Sequence, residues 1–150
     1  MKKNIILLLI CFISVFSSGC TKYIHASCAT SDFYGTYKTR DLINAEVIMY
    51  KKNSNIICNG EIFLRPDKKL YYLINSPIDG NIDLGCSDKT LIRARITMTK
   101  PRFDKLNGNG YDQLDNLYSF ETISGKVFRQ NIDKRQYKTF KHNSQSNLKY

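Results

Sequence analysis

The feature that most limits the fold of this chain is a strict alternation of apolar and polar residues. Between Ile92 and Met98 the sequence reads Ile-Arg-Ala-Arg-Ile-Thr-Met, with an apolar side chain at every second position. Successive side chains of a β-strand point to opposite faces, so a period of two is typical of a strand with one buried face. We therefore expect Ile92, Ala94, Ile96 and Met98 to face the core.

Further short segments share this strand-like character and are separated by turn residues such as Asp, Gly, Ser and Pro. They cover residues 45–50, 56–64, 70–74, 81–84, 118–123, 126–132 and 136–140. Short strands at regular intervals predict a mostly β protein, with a single small antiparallel β-sandwich or β-barrel-like domain over residues 45–141. A short helix is expected only over residues 36–44.

Residues 1–19 have the three parts of a secretory signal peptide. Met1 to Asn4 include two lysines, residues 5–16 form an apolar run broken only by Ser14, and small residues follow. The apolar run is shorter than the roughly 20 residues that a transmembrane helix needs. We therefore expect cleavage of this segment and export of the rest of the chain.

The junction at residues 17–20, Ser-Ser-Gly-Cys, resembles the lipobox of bacterial lipoproteins. The resemblance implies that a lipid is attached to the thiol of Cys20 and that signal peptidase II cuts just before it. The family usually has Leu where this chain has Ser17. The alternative is cleavage by signal peptidase I after Gly19 or after Ala29, which leaves Cys20 as an ordinary exported cysteine.

The lipid would attach the mature chain to a membrane of the cell envelope, because two or more long acyl chains bind a bilayer tightly. By the same resemblance, Thr21 after the cysteine favours the outer membrane, facing the periplasm or the cell surface. A Gram-positive surface is the alternative. Residues 20–44 are expected to be the lipid anchor and a tether, containing the short helix.

Three cysteines, Cys28, Cys58 and Cys86, remain after the signal peptide and Cys20 are set aside. Disulfides are the usual state of cysteines in an oxidising envelope. Cys58 and Cys86 each lie beside an expected strand and a turn, so we predict that they pair. If Cys20 carries no lipid, a second bridge between Cys20 and Cys28 is the alternative.

The chain is strongly basic, with a formal net charge of +10. The candidate anion-binding residues are concentrated near its end: Lys126, Arg129, Lys134, Arg135, Lys138 and Lys141. Export makes nucleic acid an unexpected partner; the acidic polymers of an envelope are lipid headgroups, lipopolysaccharide, teichoic acids and peptidoglycan. The alternatives are a solvated surface, cations that protect an exposed sheet edge, and a disordered basic tail over residues 142–150.

Residues 104–116 are rich in Asn, Asp and Gly, which are frequent ligands of calcium sites. No frame places the oxygens with the spacing of an EF-hand loop. We therefore expect a long connection there, and we predict neither a metal site nor a cofactor.

Catalytic motifs are also missing from the sequence. Its two histidines, His25 in the expected tether and His142 in the tail, lie outside the predicted core. We expect a non-catalytic binding or assembly module of the cell envelope with a protein partner. The alternative is an inhibitor or immunity lipoprotein that captures a hydrolase or toxin, as small disulfide-bonded lysozyme inhibitors do, although lysozymes are basic and would favour an acidic inhibitor.

Overall fold

The computed structural model describes residues 21–41, 43–65, 77–98 and 105–138. Within these ranges lie the strands β1 (Thr21–Cys28), β2 (Ser31–Thr39), β3 (Asn44–Lys51), β4 (Ile57–Leu64), β5 (Ile78–Cys86), β6 (Leu91–Met98), β7 (Leu106–Asp112) and β8 (Leu117–Ile123), followed by helix α1 (Gly125–Asn131). Residues 134–138 form one further helical turn. In the described part of the chain, no helix has the length and apolar character that crossing a membrane requires.

The eight strands form a closed barrel in which each strand pairs antiparallel with the next. The barrel closes between the first and the last strand, where His25 of β1 lies opposite Glu121 of β8. The prediction of a mostly β domain is confirmed, and of the two architectures expected the barrel is the one that forms. Because all eight strands are paired on both sides, the alternative that basic residues protect an exposed sheet edge is wrong for this sheet.

The barrel interior is filled with apolar side chains from every strand. The alternation in β6 is confirmed, since Ile92, Ala94, Ile96 and Met98 are all at most 4% exposed. The largest side chains buried inside the barrel include Tyr37, Phe120, Met49 and Met98. An eight-stranded barrel has an interior just wide enough for such side chains to fill, so this one has a packed core.

Glycines occupy inward-facing positions where two strands approach closely. A Cβ atom on Gly60 of β4 would lie 1.9 Å from the carbonyl oxygen of Asp83, and one on Gly110 of β7 would lie 2.1 Å from that of Arg93. Both contacts are far shorter than any real Cβ contact and both are with backbone. The absence of a side chain at these points therefore allows the sheet to curve and close.

Helix α1 covers the outer face of β1 and β2. Its N-cap Ser124 accepts a hydrogen bond from the backbone N–H of Val127. Phe128 is 1% exposed and packs with Tyr34 and Tyr50, and its ring lies 4.7 Å from that of Tyr23. The outer face therefore has a small apolar cluster of its own, separate from the barrel interior.

Both strands expected in the C-terminal part are wrong where the structure describes them. Residues 126–132 were expected to be a strand, but α1 covers most of them, because Phe128 and Ile132 are four residues apart and lie on the same side of a helix. The segment 136–140 is helical as far as residue 138, and its last two residues lie outside the described ranges. The strand predicted over residues 70–74 also lies outside them.

The tether and the short helix expected before residue 45 are wrong as well. Residues Thr21–Cys28 and Ser31–Thr39 are two strands of the barrel, and Ile24 and Tyr37 are fully buried in its core. The alternation is present here but is built from Ala, Gly and Tyr, which are weak signals of a buried face. The expected long connection over residues 104–116 is likewise mostly strand β7, whose inward positions include two glycines.

The barrel has two ends, which we call proximal and distal according to their distance from the first residue of β1. The proximal end contains the first residue of β1, Thr21, and the last residue of β8, Ile123. The distal end contains the short turns that follow β1, β3, β5 and β7. Helix α1 starts at the proximal end, and Asn131 at its C-terminus is hydrogen-bonded to Lys52 at the distal end.

The predicted disulfide is confirmed: Cys58 and Cys86 are bonded and lie opposite each other on β4 and β5 at the distal end. Cys28, at the distal end of β1, is a free thiol. Cys20 lies outside the described residues. The eight extended residues of β1 separate Thr21 from Cys28 by about 23 Å, whereas Cα atoms joined by a disulfide are at most about 7 Å apart. The alternative bridge between Cys20 and Cys28 is therefore wrong.

Candidate functional site

A polar cleft of about 350 Å³ opens at the distal end of the barrel. One wall is the turn between β3 and β4, and the other is the chain that follows α1. We call it the distal cleft, and its lining residues are Asn53, Ser54, Asn55, Asn131, Asp133, Arg135 and Gln136. Four of these seven residues carry a carboxamide, so the cleft is dominated by hydrogen-bonding groups.

The side chain of Gln136 links the two walls of the distal cleft. The amide nitrogen of Gln136 donates to the carbonyl oxygens of Ser54, at 3.0 Å, and Lys51, at 3.5 Å. The turn itself needs a residue in the left-handed region, and Asn53 has a φ of 58°. Asn tolerates this conformation better than most residues, which explains its place in the turn.

Two amide side chains of the cleft have no partner among the described residues. The side chains of Asn53 and Asn55 make no hydrogen bond to any described residue, so their donors and acceptors face solvent. Asp133 accepts a hydrogen bond from the backbone N–H of Arg135 at 3.1 Å and so caps the following helical turn. A neutral amide offers two donors and an acceptor, a combination that matches hydroxyl, acetamido and carboxylate groups.

Of the five predicted anion-binding residues that the structure describes, Arg135 alone lines the cleft. Lys134 and Lys138 are exposed on the same helical turn, Lys126 and Arg129 lie on α1, and Lys141 is outside the described residues. The fold thus places five of the six predicted residues on α1 and the helical turn that follows it, on one side of the barrel.

A cation that the sequence did not single out, Lys52, also lies beside the distal cleft. Its ammonium nitrogen is 3.1 Å from the amide oxygen of Asn131 and 5.8 Å from the ring centre of Tyr34. No sequence signal marks this residue, because its place depends on the docking of α1.

The sequence predicts that His25 lies in a tether, and this prediction is wrong. His25 lies in the middle of β1, and its side chain is only 17% exposed. Its Nε2 lies 3.0 Å from Asp32 and its Nδ1 lies 3.2 Å from Glu121, on the two neighbouring strands. The ring also stacks on Tyr34, with 4.7 Å between ring centres. Carboxylates only accept, so both contacts are hydrogen bonds when the imidazole carries two protons.

The two ring nitrogens of His25 thus face carboxylates on both neighbouring strands. The histidine joins three strands on the outer face of the barrel. Among the described residues, no three His, Cys, Asp or Glu side chains converge as the ligands of a metal ion do.

The distal mouth of the barrel interior contains a buried carboxylate, Asp112. It accepts hydrogen bonds from the backbone N–H groups of Leu114, at 2.8 Å, and Asn116, at 3.0 Å, and from the hydroxyl of Tyr118, at 3.3 Å. Burial by itself raises the pKa of this carboxyl, but the hydrogen bonds outweigh burial, so its pKa is below the ordinary value. Burial raises the pKa of the Tyr118 hydroxyl, and the neighbouring Cys28 and Asp112 add to the increase.

The substitution Asp112→Ala is expected to lower the free energy of unfolding by about 1–3 kcal/mol at pH 7, because it leaves several donors without their acceptor. Since the folded pKa is below the unfolded one, the charged form contributes its stability above about pH 4 and loses it as the pH falls through the folded pKa. Urea denaturation of both proteins at pH 7 and below pH 4 measures the difference, which should shrink in acid.

The matched control for this experiment is Asp83→Ala. Asp83 is 69% exposed and lies 3.6 Å from Arg93 on the barrel surface, so its removal should change stability by less than about 0.5 kcal/mol. A stability difference between wild type and Asp112→Ala that stays the same in acid would show that the charge of Asp112 does not contribute.

A row of exposed apolar side chains lies near the distal end on the outer face of β6, β7 and β8. Tyr111 is 57% exposed and lies opposite Leu117, which is 52% exposed. Leu91 and Leu114 are also exposed at this end of the barrel, so we call the four residues the apolar row. Large apolar side chains grouped on a surface are typical of contact sites for other molecules.

No protein-family model and no curated protein matches this sequence. Among solved structures, a de novo designed fluorescence-activating β-barrel is similar to the chain, with a TM-score of 0.48 and 14% sequence identity. The similarity covers 69% of this chain and 90% of the designed one.

Proposed function

We propose that this protein is an exported lipoprotein, attached through Cys20, whose barrel is a non-catalytic binding module for an acidic glycan of the bacterial cell envelope. The distal cleft carries this proposal, because it combines the amide groups of Asn53 and Asn55 with the guanidinium group of Arg135. Peptidoglycan, lipopolysaccharide and teichoic acid share the required chemistry, which is a polyhydroxylated chain with carboxylate or phosphate groups.

The export and anchoring part of the proposal rests on residues 1–20 of the sequence. The disulfide between Cys58 and Cys86 is compatible with an oxidising compartment. The pairing of Cys58 with Cys86, and the distance of about 23 Å that β1 puts between Thr21 and Cys28, support the proposal that Cys20 is used for a lipid and not for a disulfide.

The ligand part follows from the groups that line the cleft. Asn53 and Asn55 supply donors and acceptors for hydroxyl and acetamido groups, and Arg135 supplies a cation that pairs with carboxylate or phosphate. The carboxylate of Asp133 disfavours a simple inorganic anion but accepts hydrogen bonds from sugar hydroxyls. Lys52 and Lys134 add a positive potential beside the cleft that attracts an acidic polymer at low salt.

The substitution Arg135→Gln is expected to weaken binding of an acidic glycan about tenfold. A hydrogen bond to a charged group contributes about 1.5–3 kcal/mol, and 1.4 kcal/mol corresponds to a factor of ten. Fluorescence anisotropy with labelled peptidoglycan fragments, released by a muramidase, measures the dissociation constant. Parallel titrations with lipopolysaccharide and teichoic acid identify which polymer binds most tightly.

Arg95→Gln is the control for the loss of one positive charge. Arg95 is exposed on β6, away from the cleft, so its substitution should leave the dissociation constant within about twofold, the effect of a remote screened charge. Equal affinities of Arg135→Gln and Arg95→Gln for the fragments, or failure of the wild type to bind any of the three polymers, would contradict the proposal.

A second candidate function is capture of a soluble hydrolase or toxin at the cell surface, and the apolar row favours it. Aromatic and aliphatic side chains such as Tyr111 and Leu117 are common at the centres of protein interfaces. Co-purification from detergent-solubilised membranes separates the candidates. Recovery of one soluble protein that is lost on substitution Tyr111→Ser supports capture, and recovery of glycan without protein supports the first proposal.

A further inference from the structure

The start of the first strand fixes how far the barrel can lie from an anchor on Cys20. Thr21 is already paired with Lys38 in the ladder between β1 and β2. Adjacent Cα atoms are about 3.8 Å apart, so an acylated Cys20 is a single residue away from the folded barrel. There is no length of chain in which a spacer between lipid and barrel could form.

The proximal end carries carboxylates, such as those of Asp41 and Asp79, and also cations that have no ion-pair partner among the described residues. Lys38 is at the end of β2, Lys105 directly precedes β7, and Lys126 is in the first turn of α1. By contrast Arg40, in the turn after β2, contacts the carboxylates of Glu46 and Glu61. Anionic headgroups attract cations near the membrane surface by about 1 kcal/mol for each Lys or Arg.

We propose that the lipid on Cys20 holds the barrel end-on, with its proximal end in contact with the headgroups of an anionic bilayer and its distal cleft facing away. This inference rests on the lipid attachment in the proposed function. Strands of eight residues are about 26 Å long, and their tilt of 35–45° in a barrel reduces the height to about 20 Å. The distal cleft is then that far from the headgroups.

The end-on orientation limits which acidic polymers can reach the distal cleft. Phosphates of the bilayer that holds the barrel are out of reach of Asn53 and Arg135, because the height of the barrel separates them. A polymer that extends in front of the membrane reaches the cleft without any movement of the barrel. Of the acidic glycans considered above, the orientation therefore favours one that is not embedded in the same membrane leaflet.

The test places one fluorophore at either end of the lipidated protein. Lys105→Cys marks the proximal end and Leu114→Cys, at a side chain that is 76% exposed, marks the distal end. The additional substitution Cys28→Ser removes the native free thiol from both variants. Each protein is reconstituted into vesicles of phosphatidylethanolamine and phosphatidylglycerol that contain a lipid with a nitroxide on its headgroup.

The fluorophore at Lys105→Cys should be quenched several-fold more strongly than the one at Leu114→Cys. Insertion of ten Gly and Ser residues between Cys20 and Thr21 should remove most of this difference, since such a linker has a root-mean-square length of about 17 Å. Equal quenching at the two positions without the linker would overturn the end-on orientation. An unchanged difference with the linker would overturn the role of the short anchor.

Intact-mass analysis of the same preparations separates this inference from the function on which it rests. A mass that lacks lipid, or vesicle binding that persists in Cys20→Ala, would overturn the lipid anchor and the orientation together. A lipidated protein with equal quenching overturns the orientation alone and leaves the anchor in place. Stronger quenching at the distal position would mean that the apolar row, and not the proximal end, contacts the bilayer.

Discussion

Replacement of both Cys58 and Cys86 by alanine is expected to lower the free energy of unfolding by about 3–4 kcal/mol. The disulfide closes a loop with a sequence separation of 28, and the entropy that this closure removes from the unfolded chain corresponds to about 3.6 kcal/mol in the chain-entropy model. Cys58 is also fully buried, so the alanine leaves a small void in the core. Native stability of a domain of this size is about 5–15 kcal/mol, so the loss is a large part of it.

Urea denaturation followed by circular dichroism measures this effect, with and without a reductant. The wild type under reducing conditions should lose a similar amount of stability, whereas the double variant should not respond to the reductant. Cys28→Ala is the matched control, because it removes a thiol without a bridge and should cost less than about 1.5 kcal/mol. A double variant as stable as the wild type would show that the bridge does not constrain the unfolded chain.

Substitution of Gly60 by alanine is expected to destabilise the barrel by roughly 3 kcal/mol, the upper end of the usual range for overpacking. The added Cβ atom would meet the backbone oxygen of Asp83 at 1.9 Å and the Cα atom of Leu84 at 2.9 Å. Neither atom can move aside as a flexible side chain can, so β4 and β5 have to separate. Thermal unfolding should show a midpoint lower by several degrees.

Gly85→Ala provides the matched control on the neighbouring strand. Its Cβ atom would lie 3.8 Å from a side-chain carbon of Leu91, which is ordinary van der Waals contact. Its φ is not positive, so an alanine adopts the backbone without strain. If both alanine variants are equally stable, the close approach of the strands at Gly60 is not what requires the glycine.

The fold was predictable where the buried face consists of large aliphatic residues. In β6 the alternation of Ile, Ala and Met with Arg and Thr leaves one face that can be buried, and the structure buries it. In β7 the inward positions include Gly108 and Gly110, which local sequence reasoning interprets as turn residues. Glycine is needed at these positions because the whole sheet curves. This curvature is a tertiary property that a short segment of sequence does not reveal.

Helix α1 also depends on tertiary contacts that its own sequence does not contain. Val127 and Phe128 have strand propensity, but the segment is covered on one side only and its Phe128 fits between Tyr23 and Tyr34 of the outer face. That outer cluster exists only when β1 and β2 are paired. The sequence predicts a tether where these two strands lie, so it gives no sign of the surface on which Phe128 packs.

The sequence predicts one charged residue of the candidate site, Arg135, but it does not predict the distal cleft. Arg135 belongs to the predicted basic set because of its charge, whereas Asn53 and Asn55 lie more than 75 positions earlier in the chain and belong to no predicted site. Polar turn residues occur in every protein, so their type alone does not separate a binding wall from an ordinary turn. The pairing of Cys58 with Cys86 was accessible because both cysteines lie where an expected strand meets a turn.

The closure of the barrel leads us to expect a definite order of strand pairing during folding. Seven of the eight ladders join strands that follow one another along the chain, and such pairs are expected to form quickly because little chain has to be ordered between them. The ladder between β1 and β8 joins residues nearly a hundred positions apart, so we expect it to form last. Until then both strands have an unpaired edge that can pair with other chains. Once closed, the sheet has lost that hazard, and a slow final step in refolding is its expected kinetic signature.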